Sequence, residues 1–113
     1  MDLRKSILES TLERTPVTVA EWQGVTVYVS TMDGHRRSQW ADAAFDTEGK
    51  IKEPSREILL VHTLEDEVGQ PIFTATDVDA LNKKHASVLS KLFVIAKNLN
   101  GLGSDEVEVA EKK

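Results

Sequence analysis

The stretch "PIFTATDVDALNKKHASVLSKLFVIAKNLNGL", residues 71–102, contains the strongest helix signal of the chain. Thr74, followed three residues later by Asp77, has the spacing of a capping box at a helix start. Gly101 or Gly103 supplies the stop that ends such a helix. Between these signals, residues spaced by three and four mark one helix face: Val78, Leu81, His85, Val88, Leu92, Ile95 and Leu99. The pattern predicts a long amphipathic helix over residues 76–100.

The piece "NKKH", residues 82–85, interrupts this pattern with polar residues. It is compatible with a kink in one helix or with a break between two helices. Both alternatives stay open at the level of the sequence.

The apolar stripe is wider than one packing seam requires, because Leu89, Phe93 and Ala96 extend it sideways. We expect the core to be closed by Leu92, Ile95 and Leu99. Some of the three flanking residues then contribute to an interface with a partner or with a second copy. The alternative, in which all six residues are core, fits the spacing equally well.

Upstream of this helix, the sequence changes from one periodicity to another. Residues 2–13 have the apolar spacing of a short amphipathic helix, with Asp2 as its cap. Valines alternate with polar residues over residues 16–31, around Gln23-Gly24, which predicts a β-hairpin. After Asp33 the spacing returns to that of a helix, which buries Trp40, Ala41, Ala44 and Phe45.

The middle of the chain is less regular. Residues 46–55 are polar and contain Gly49 and Pro54, which predicts an exposed loop. Residues 56–64 fit either a helix or a strand, and we favour a short helix from Ser55 that becomes extended near Thr63. The fold class is therefore α+β, with an N-terminal helix, a hairpin and then mainly helices. We expect one compact domain over residues 1–103 and a frayed acidic tail over residues 104–113.

Composition excludes several classes of function. The 113-residue chain has a formal net charge of −5 and a pI of about 5.2, which argues against nucleic acid or an anionic membrane as partner. It contains no cysteine, so disulfides and thiolate metal sites are excluded. No apolar run approaches the ~18 residues that a membrane helix needs. These features predict a cytosolic protein.

The chain shows no arrangement that suggests catalysis. The histidines His35, His62 and His85 lie in separate segments and lack metal-ligand spacing. The acidic run 65–67 is consecutive instead of alternating, so it predicts a solvated hairpin turn and not a calcium loop. No motif assembles a nucleophile with a base. We expect no enzyme activity, no cofactor and no metal.

The basic pair Arg36-Arg37 and the two tryptophans complete the candidates. On an acidic chain, one basic pair is most simply a solvated helix face. Core packing is the favoured role of Trp22 and Trp40, although a tryptophan beside a hairpin turn also suits an exposed anchor. The candidate interface residues are Trp22, Leu89, Phe93 and Ala96.

Three stretches in this order carry a resemblance to a known family: "VAEWQGVTVYVSTMDG" followed by Arg36 and Arg37, then "EDEVGQPIFTATDVDALNKK", then "LSKLFVIAKNLNGL". The chain resembles the small tail assembly chaperones of long, non-contractile-tailed bacteriophages over residues 1–103. Two features depart from that pattern. Gln23 separates Trp22 from Gly24, which lengthens the turn, and the middle helix with its loop matches poorly.

The resemblance implies a non-enzymatic role in the host cytoplasm. Such chaperones bind the tape measure protein before the tail tube forms around it, and they are absent from the finished virion. A ribosomal frameshift adds a C-terminal extension that recruits tail tube subunits, and the A-rich codons suited to Glu111-Lys112-Lys113 fit that event. A homo-oligomer is a further expectation. The alternative function is a structural head–tail connector or tail terminator of the virion.

Overall fold

The computed structural model describes residues 2–102, and a small antiparallel sheet lies at its centre. Its strands are β1 (Arg14–Val19), β2 (Val25–Ser30) and β3 (Leu64–Glu65). Strand β2 is central and pairs with both others. The α+β class predicted from the two periodicities is confirmed.

The hairpin formed by β1 and β2 has the predicted division between faces. Val17 pairs with Val27, and both are buried. The neighbouring pair, Thr18 and Thr26, is exposed, with its hydroxyl oxygens 2.9 Å apart. Alternate side chains of a strand point to opposite faces, so this register places the valines against the core and the threonines in solvent.

The connection between β1 and β2 is longer than a two-residue turn. It contains a 3₁₀ turn over Ala20–Trp22, followed by Gln23 at φ 62° and Gly24 at φ 74°. Gln23 is thus held in the left-handed region that non-glycine residues rarely adopt. The extra turn brings the half-buried Trp22 side chain against the core.

Helix α1 (Leu3–Glu9) is shorter than the predicted range of 2–13. Asp2 caps it as predicted, accepting a hydrogen bond from the backbone N–H of Lys5 at 3.2 Å. The helix ends because Ser10 becomes extended while its hydroxyl donates to the carbonyl of Ile7 at 2.6 Å. None of its residues is buried.

Helices α2 (Gly34–Ala44) and α3 (Ser55–Val61) agree closely with the helices predicted from the sequence. Asp33 caps α2 by accepting from the backbone N–H of Arg36 at 2.8 Å. Trp40 is buried and meets Phe45 edge to face, with 5.6 Å between ring centroids. The prediction of a short helix that becomes extended near Thr63 is confirmed, since α3 leads directly to β3.

The predicted helix over residues 76–100 is two helices, α4 (Val78–Asn82) and α5 (Ala86–Leu99). The capping interaction before α4 is present, since the backbone N–H of Thr74 donates to Asp77 Oδ2 at 2.8 Å. Of the two alternatives left open at residues 82–85, the break between two helices is therefore the one present. His85, which we placed on the apolar stripe, is exposed and precedes α5.

The core lies between the sheet, α3 and α5. Its largest fully buried apolar side chains come from these elements and from the residue that follows α5: Leu59, Leu60, Leu64, Leu89, Leu92 and Leu102. Ile95 and Leu99 are half-buried and pack against this cluster. Of the residues expected to close the core, Leu92 is therefore its centre and the other two form its margin.

Two loops use the same turn chemistry. In the acidic loop, Asp66 Oδ1 accepts from the backbone N–H groups of Val68 and Gln70 at 3.0 and 2.9 Å, with Gly69 at φ 88°. Asp46 makes the equivalent turn, and hydrogen bonds from backbone N–H groups, that of Lys50 first, lower the pKa of its carboxyl. The turn predicted at residues 65–67 is present, but only part of it is solvated, because Glu65 is 7% exposed and paired with arginines.

The end of α5 is fixed to the sheet by Asn100. Its side-chain oxygen accepts from the backbone N–H of Met32 at 2.6 Å, and its amide donates to the carbonyls of Ser30 and Ala96 at 3.2 and 2.8 Å. Gly101 at φ 65° then allows the N–H of Leu102 to bond to the carbonyl of Lys97 at 2.9 Å. Residues 104–113, for which we predict a frayed tail, lie outside the described residues.

We expect Asn100→Ala to lower the free energy of unfolding by about 2–3 kcal/mol, because it leaves buried backbone groups without partners. The melting temperature should fall by roughly 10 °C. Asn98→Ala is the matched control, since Asn98 is exposed on the same helix, and it should change stability by less than about 0.5 kcal/mol. Equal melting temperatures for the two variants would contradict this role of Asn100.

Candidate functional site

The four candidate interface residues separate into two groups. Leu89 and Ala96 are fully buried, at 0% exposure, so they offer no surface in a single copy of the chain. Trp22 and Phe93 are half-buried and pack against the edge of the core. Of the four, only Trp22 and Phe93 present an apolar surface that another molecule can contact.

Trp22 lies in a cleft of about 360 Å³ between the hairpin turn and α4. We call this the Trp22 cleft, and its lining residues are Glu21, Trp22, Gln23, Phe73, Asp77, Ala80, Leu81, Lys84 and His85. Its apolar lining comes from three separate segments: Trp22 from the hairpin turn, Phe73 from the segment before α4, and Leu81 from α4 itself. An apolar surface with a charged border is the usual form of a peptide-binding groove.

The indole Nε1 of Trp22 is buried without a hydrogen-bond partner. Buried tryptophan N–H groups usually have one, so the ring is held by apolar packing alone. An unpaired buried donor costs free energy, and this one belongs to a residue that lines the cleft. Trp40 is buried and packs in the core, as the sequence favoured. Trp22 is only half-buried, so part of its ring stays accessible.

The position of α4, and therefore of one wall of the cleft, depends on a buried carboxylate. Glu57 is 1% exposed, and its carboxylate accepts from Asn82 Nδ2 at the end of α4, at 2.7 Å. Arg56 Nε is its ion-pair partner. A carboxylate this deeply buried requires such partners, so α3 and α4 are held together where the cleft begins.

The basic pair of α2 is not a solvated helix face, which corrects our prediction. Arg36 and Arg14 both pair with the carboxylate of Glu65, which is 7% exposed, and the Arg14 Nε–Glu65 Oε1 distance is 2.8 Å. The Arg14 guanidinium also stacks over Tyr28, 4.4 Å from the ring centroid. Arg37 lies over Trp40 at 5.4 Å. These arginines neutralise and cover the interior of this protein, so they are not a separate basic patch.

Sequence reasoning missed an exposed apolar surface on α1. Leu3, Ile7 and Leu8 are 67%, 68% and 67% exposed, and Leu12 in the following segment is 51% exposed. The sequence did contain a signal. Arg4 and Lys5 occupy the first turn, where positive charge opposes the helix dipole. These two charges therefore do not stabilise the helix.

A further apolar strip on α5 consists of the neighbouring residues Phe93 and Val94. Phe93 is half-buried there, with Lys97 Nζ 4.9 Å from its ring centroid, and Val94 is 50% exposed. The aliphatic stem and charge of Lys97 cover part of the ring. This strip and the Trp22 cleft are two separate apolar surfaces, and polar residues border each of them.

Within residues 2–102, no group of three or more His, Asp or Glu side chains is placed to hold a metal ion. None of the helices in this part of the chain is long and apolar enough to span a membrane. What the surface offers is apolar side chains in shallow depressions.

Comparison with known proteins gives a family and a fold. A family model described as phage tail assembly chaperone matches residues 2–113. The solved tail assembly chaperone of bacteriophage HK97 is similar in fold, with a TM-score of 0.59 over 88% of this chain and 98% of that chain. The two sequences are 20% identical over the alignment, so this likeness concerns the fold alone. No curated protein sequence matches the chain.

Truncation of single side chains separates core from surface on α5. We expect Leu89→Ala to cost about 3–4 kcal/mol, because it opens a cavity in a fully buried site. Phe93→Ala should cost about half of that, since part of the ring already contacts water. Urea unfolding of both variants measures the difference, and a larger loss for Phe93→Ala would place its ring in the core.

Proposed function

The chain belongs to the phage tail assembly chaperone family, and on this premise we propose that it binds the tape measure protein and keeps it soluble during tail assembly. The family match over residues 2–113 carries the proposal. Proteins of this role act by holding a client, which requires contact surface and no catalytic group. We therefore propose that the chain is a binding protein and not an enzyme.

The exposed apolar surface supports this function. A long, largely helical client presents apolar stripes, and several shallow contacts hold such a stripe reversibly. The strip around Phe93 offers contacts of this kind. Because its residues are only half-buried, each contact contributes modestly and the client can be released when the tube forms.

The net charge also fits the role. A formal charge of −5 opposes nonspecific aggregation and disperses the complexes that the protein forms. It also disfavours nucleic acid and anionic membranes as partners. We place the protein in the host cytoplasm and outside the finished virion.

Two further partners belong to the same proposal. One is the tail tube protein, recruited through a C-terminal extension that a ribosomal frameshift adds to some copies. The codons for Glu111-Lys112-Lys113 are the proposed slippage site, and these residues lie outside the described part of the chain. The other is a second copy of the chain.

Co-expression with the tape measure protein tests the main proposal. We expect most of the client to move from the pellet to the supernatant, and a complex to elute on size-exclusion chromatography. Phe93→Glu should reduce the soluble client several-fold, whereas Val68→Glu should not, because Val68 is a 74% exposed residue in a separate turn. The circular dichroism spectrum of the Phe93→Glu variant must match that of the wild type, because an unfolded variant would lose the client for a different reason.

The result that contradicts the proposal is equally specific. If the client is as insoluble with the protein as without it, and no complex forms, the chaperone role is wrong. Copurification of the protein with finished virions would instead favour a head–tail connector or a tail terminator.

Expression of the native gene tests the frameshift. We expect mass spectrometry to find a minor, longer product that contains the sequence of residues 1–113 or most of it. Silent recoding of codons 111–113 should abolish this product, because the slippage depends on the nucleotides and not on the amino acids. A longer product that survives recoding would exclude this site.

A further inference from the structure

Helix α1 lacks the contacts that normally stabilise a helix of its length. It has seven residues, none of them buried, whereas isolated helices shorter than about 12 residues are marginal in water. Its apolar side chains Leu3, Ile7 and Leu8 are about two-thirds exposed. A helix with an uncovered apolar face needs a surface that covers it.

The Trp22 cleft has the complementary properties. It is apolar where Trp22, Phe73 and Leu81 line it, and it is open to solvent along α4. Ala80 on α4 lines the same cleft and is exposed, so its small side chain leaves room for another helix to approach. The volume of about 360 Å³ accommodates a few aliphatic side chains.

Charge order gives the two segments a matching direction. Along α1, the positive charges of Arg4 and Lys5 precede the negative charge of Glu9. Along the cleft, the negative charge of Asp77 precedes the positive charge of Lys84. A parallel arrangement therefore places opposite charges together at both ends, with Ile7 near Ala80 in the middle.

The remaining charges are consistent with this arrangement. Glu21 borders the cleft and adds negative charge that suits Arg4 and Lys5. The carboxylate of Asp2 is engaged as the helix cap, accepting from the backbone N–H of Lys5. His85 also lines the cleft, on the side where Glu9 would lie.

The cleft of the same copy is too far away to receive the helix. The backbone N–H of Thr31 bonds to the carbonyl of Glu13 at 2.9 Å, which fixes Glu13 at the start of β1. Trp22 follows the other end of β1, about 20 Å away. Four Cα–Cα steps join Glu9, the last residue of α1, to Glu13, and they span at most about 14 Å, so Leu8 cannot reach the cleft of its own chain.

We propose that α1 of one copy binds in the Trp22 cleft of a second copy, parallel to α4. The occupant is thus a segment of the same protein, and the cleft is complete only when two copies associate. This pairing covers the apolar face of α1 and the exposed part of Trp22 together. It concerns the purified chain alone, so it holds or fails independently of client binding.

Sedimentation equilibrium of the purified protein tests the association. We expect the wild type to form dimers or larger species, and Leu8→Asp and Ala80→Arg each to weaken self-association about tenfold or more. Val68→Asp is the matched control, because it places a charge on an equally exposed apolar residue outside both segments. The folded core should be unaffected, so the circular dichroism spectra of all variants should agree.

Engineered cysteines test which segments meet, and the absence of native cysteine makes the result unambiguous. Ile7→Cys protein is mixed with Ala80→Cys protein under mild oxidation, and peptide mass spectrometry identifies the linked residues. We expect the 7–80 disulfide, which requires the two Cα atoms to approach within about 7 Å. Ile7→Cys mixed with Val68→Cys is the control pair and should give no such link.

Two outcomes would overturn the proposal. One is a wild-type protein that stays monomeric at all concentrations, or that associates equally well with Leu8→Asp. The other is an Ala80→Arg variant that loses the client while its self-association is unchanged, which would assign the cleft to the client instead of to a second copy.

Discussion

The carboxylate of Glu65 holds together the parts of this fold that the small sheet cannot hold by backbone pairing alone. Strand β3 has two residues, so few ladder hydrogen bonds attach it to β2. Glu65 lies in that strand and binds Arg14 of β1 and Arg36 of α2. A charge at 7% exposure is tolerated only with such partners, so the strand, the sheet edge and the helix are positioned by the same requirement.

The same kind of polar contact also positions the wall of the Trp22 cleft. Ser30 at the end of β2 accepts a hydrogen bond from Arg36 and donates one to the carbonyl of Thr63, which joins β2 to the segment after α3. Helix α3 in turn holds α4 through Glu57. The wall of the Trp22 cleft is therefore connected to the sheet by polar contacts between buried or half-buried groups. Apolar packing fills the space between these polar contacts.

The sequence predicted those elements whose signals are local. Alternating valines located the hairpin, and Asp33 located the start of α2, because pairing and capping depend on neighbouring residues. The sequence marked residues 82–85 as an interruption but could not decide between a kink and a break, because the outcome depends on contacts distant in sequence, such as that of Asn82 with Glu57. The exposure of α1 and the engagement of Arg36 were missed for the same reason. Both depend on what the rest of the chain does or does not place beside them.

The candidate site was predictable only in part. Trp22 and Phe93 were identified from the turn and the wide stripe, and both are accessible at the surface. Phe73 and Leu81 were not linked to Trp22, because three separate segments must fold before they share a wall. Spacing also could not separate Leu89 from Phe93, since it does not report how deep each position lies.

The hydrogen bonds of Asn100 at the end of α5 constrain where any segment joined to the chain after it can start. Leu102 is 1% exposed and Asn100 is bonded to the sheet, so the path of the chain is fixed up to that point. A second binding module added beyond it would start from a fixed position beside the end of β2. Its effective concentration at the folded body would then be set by the length and stiffness of the connecting residues.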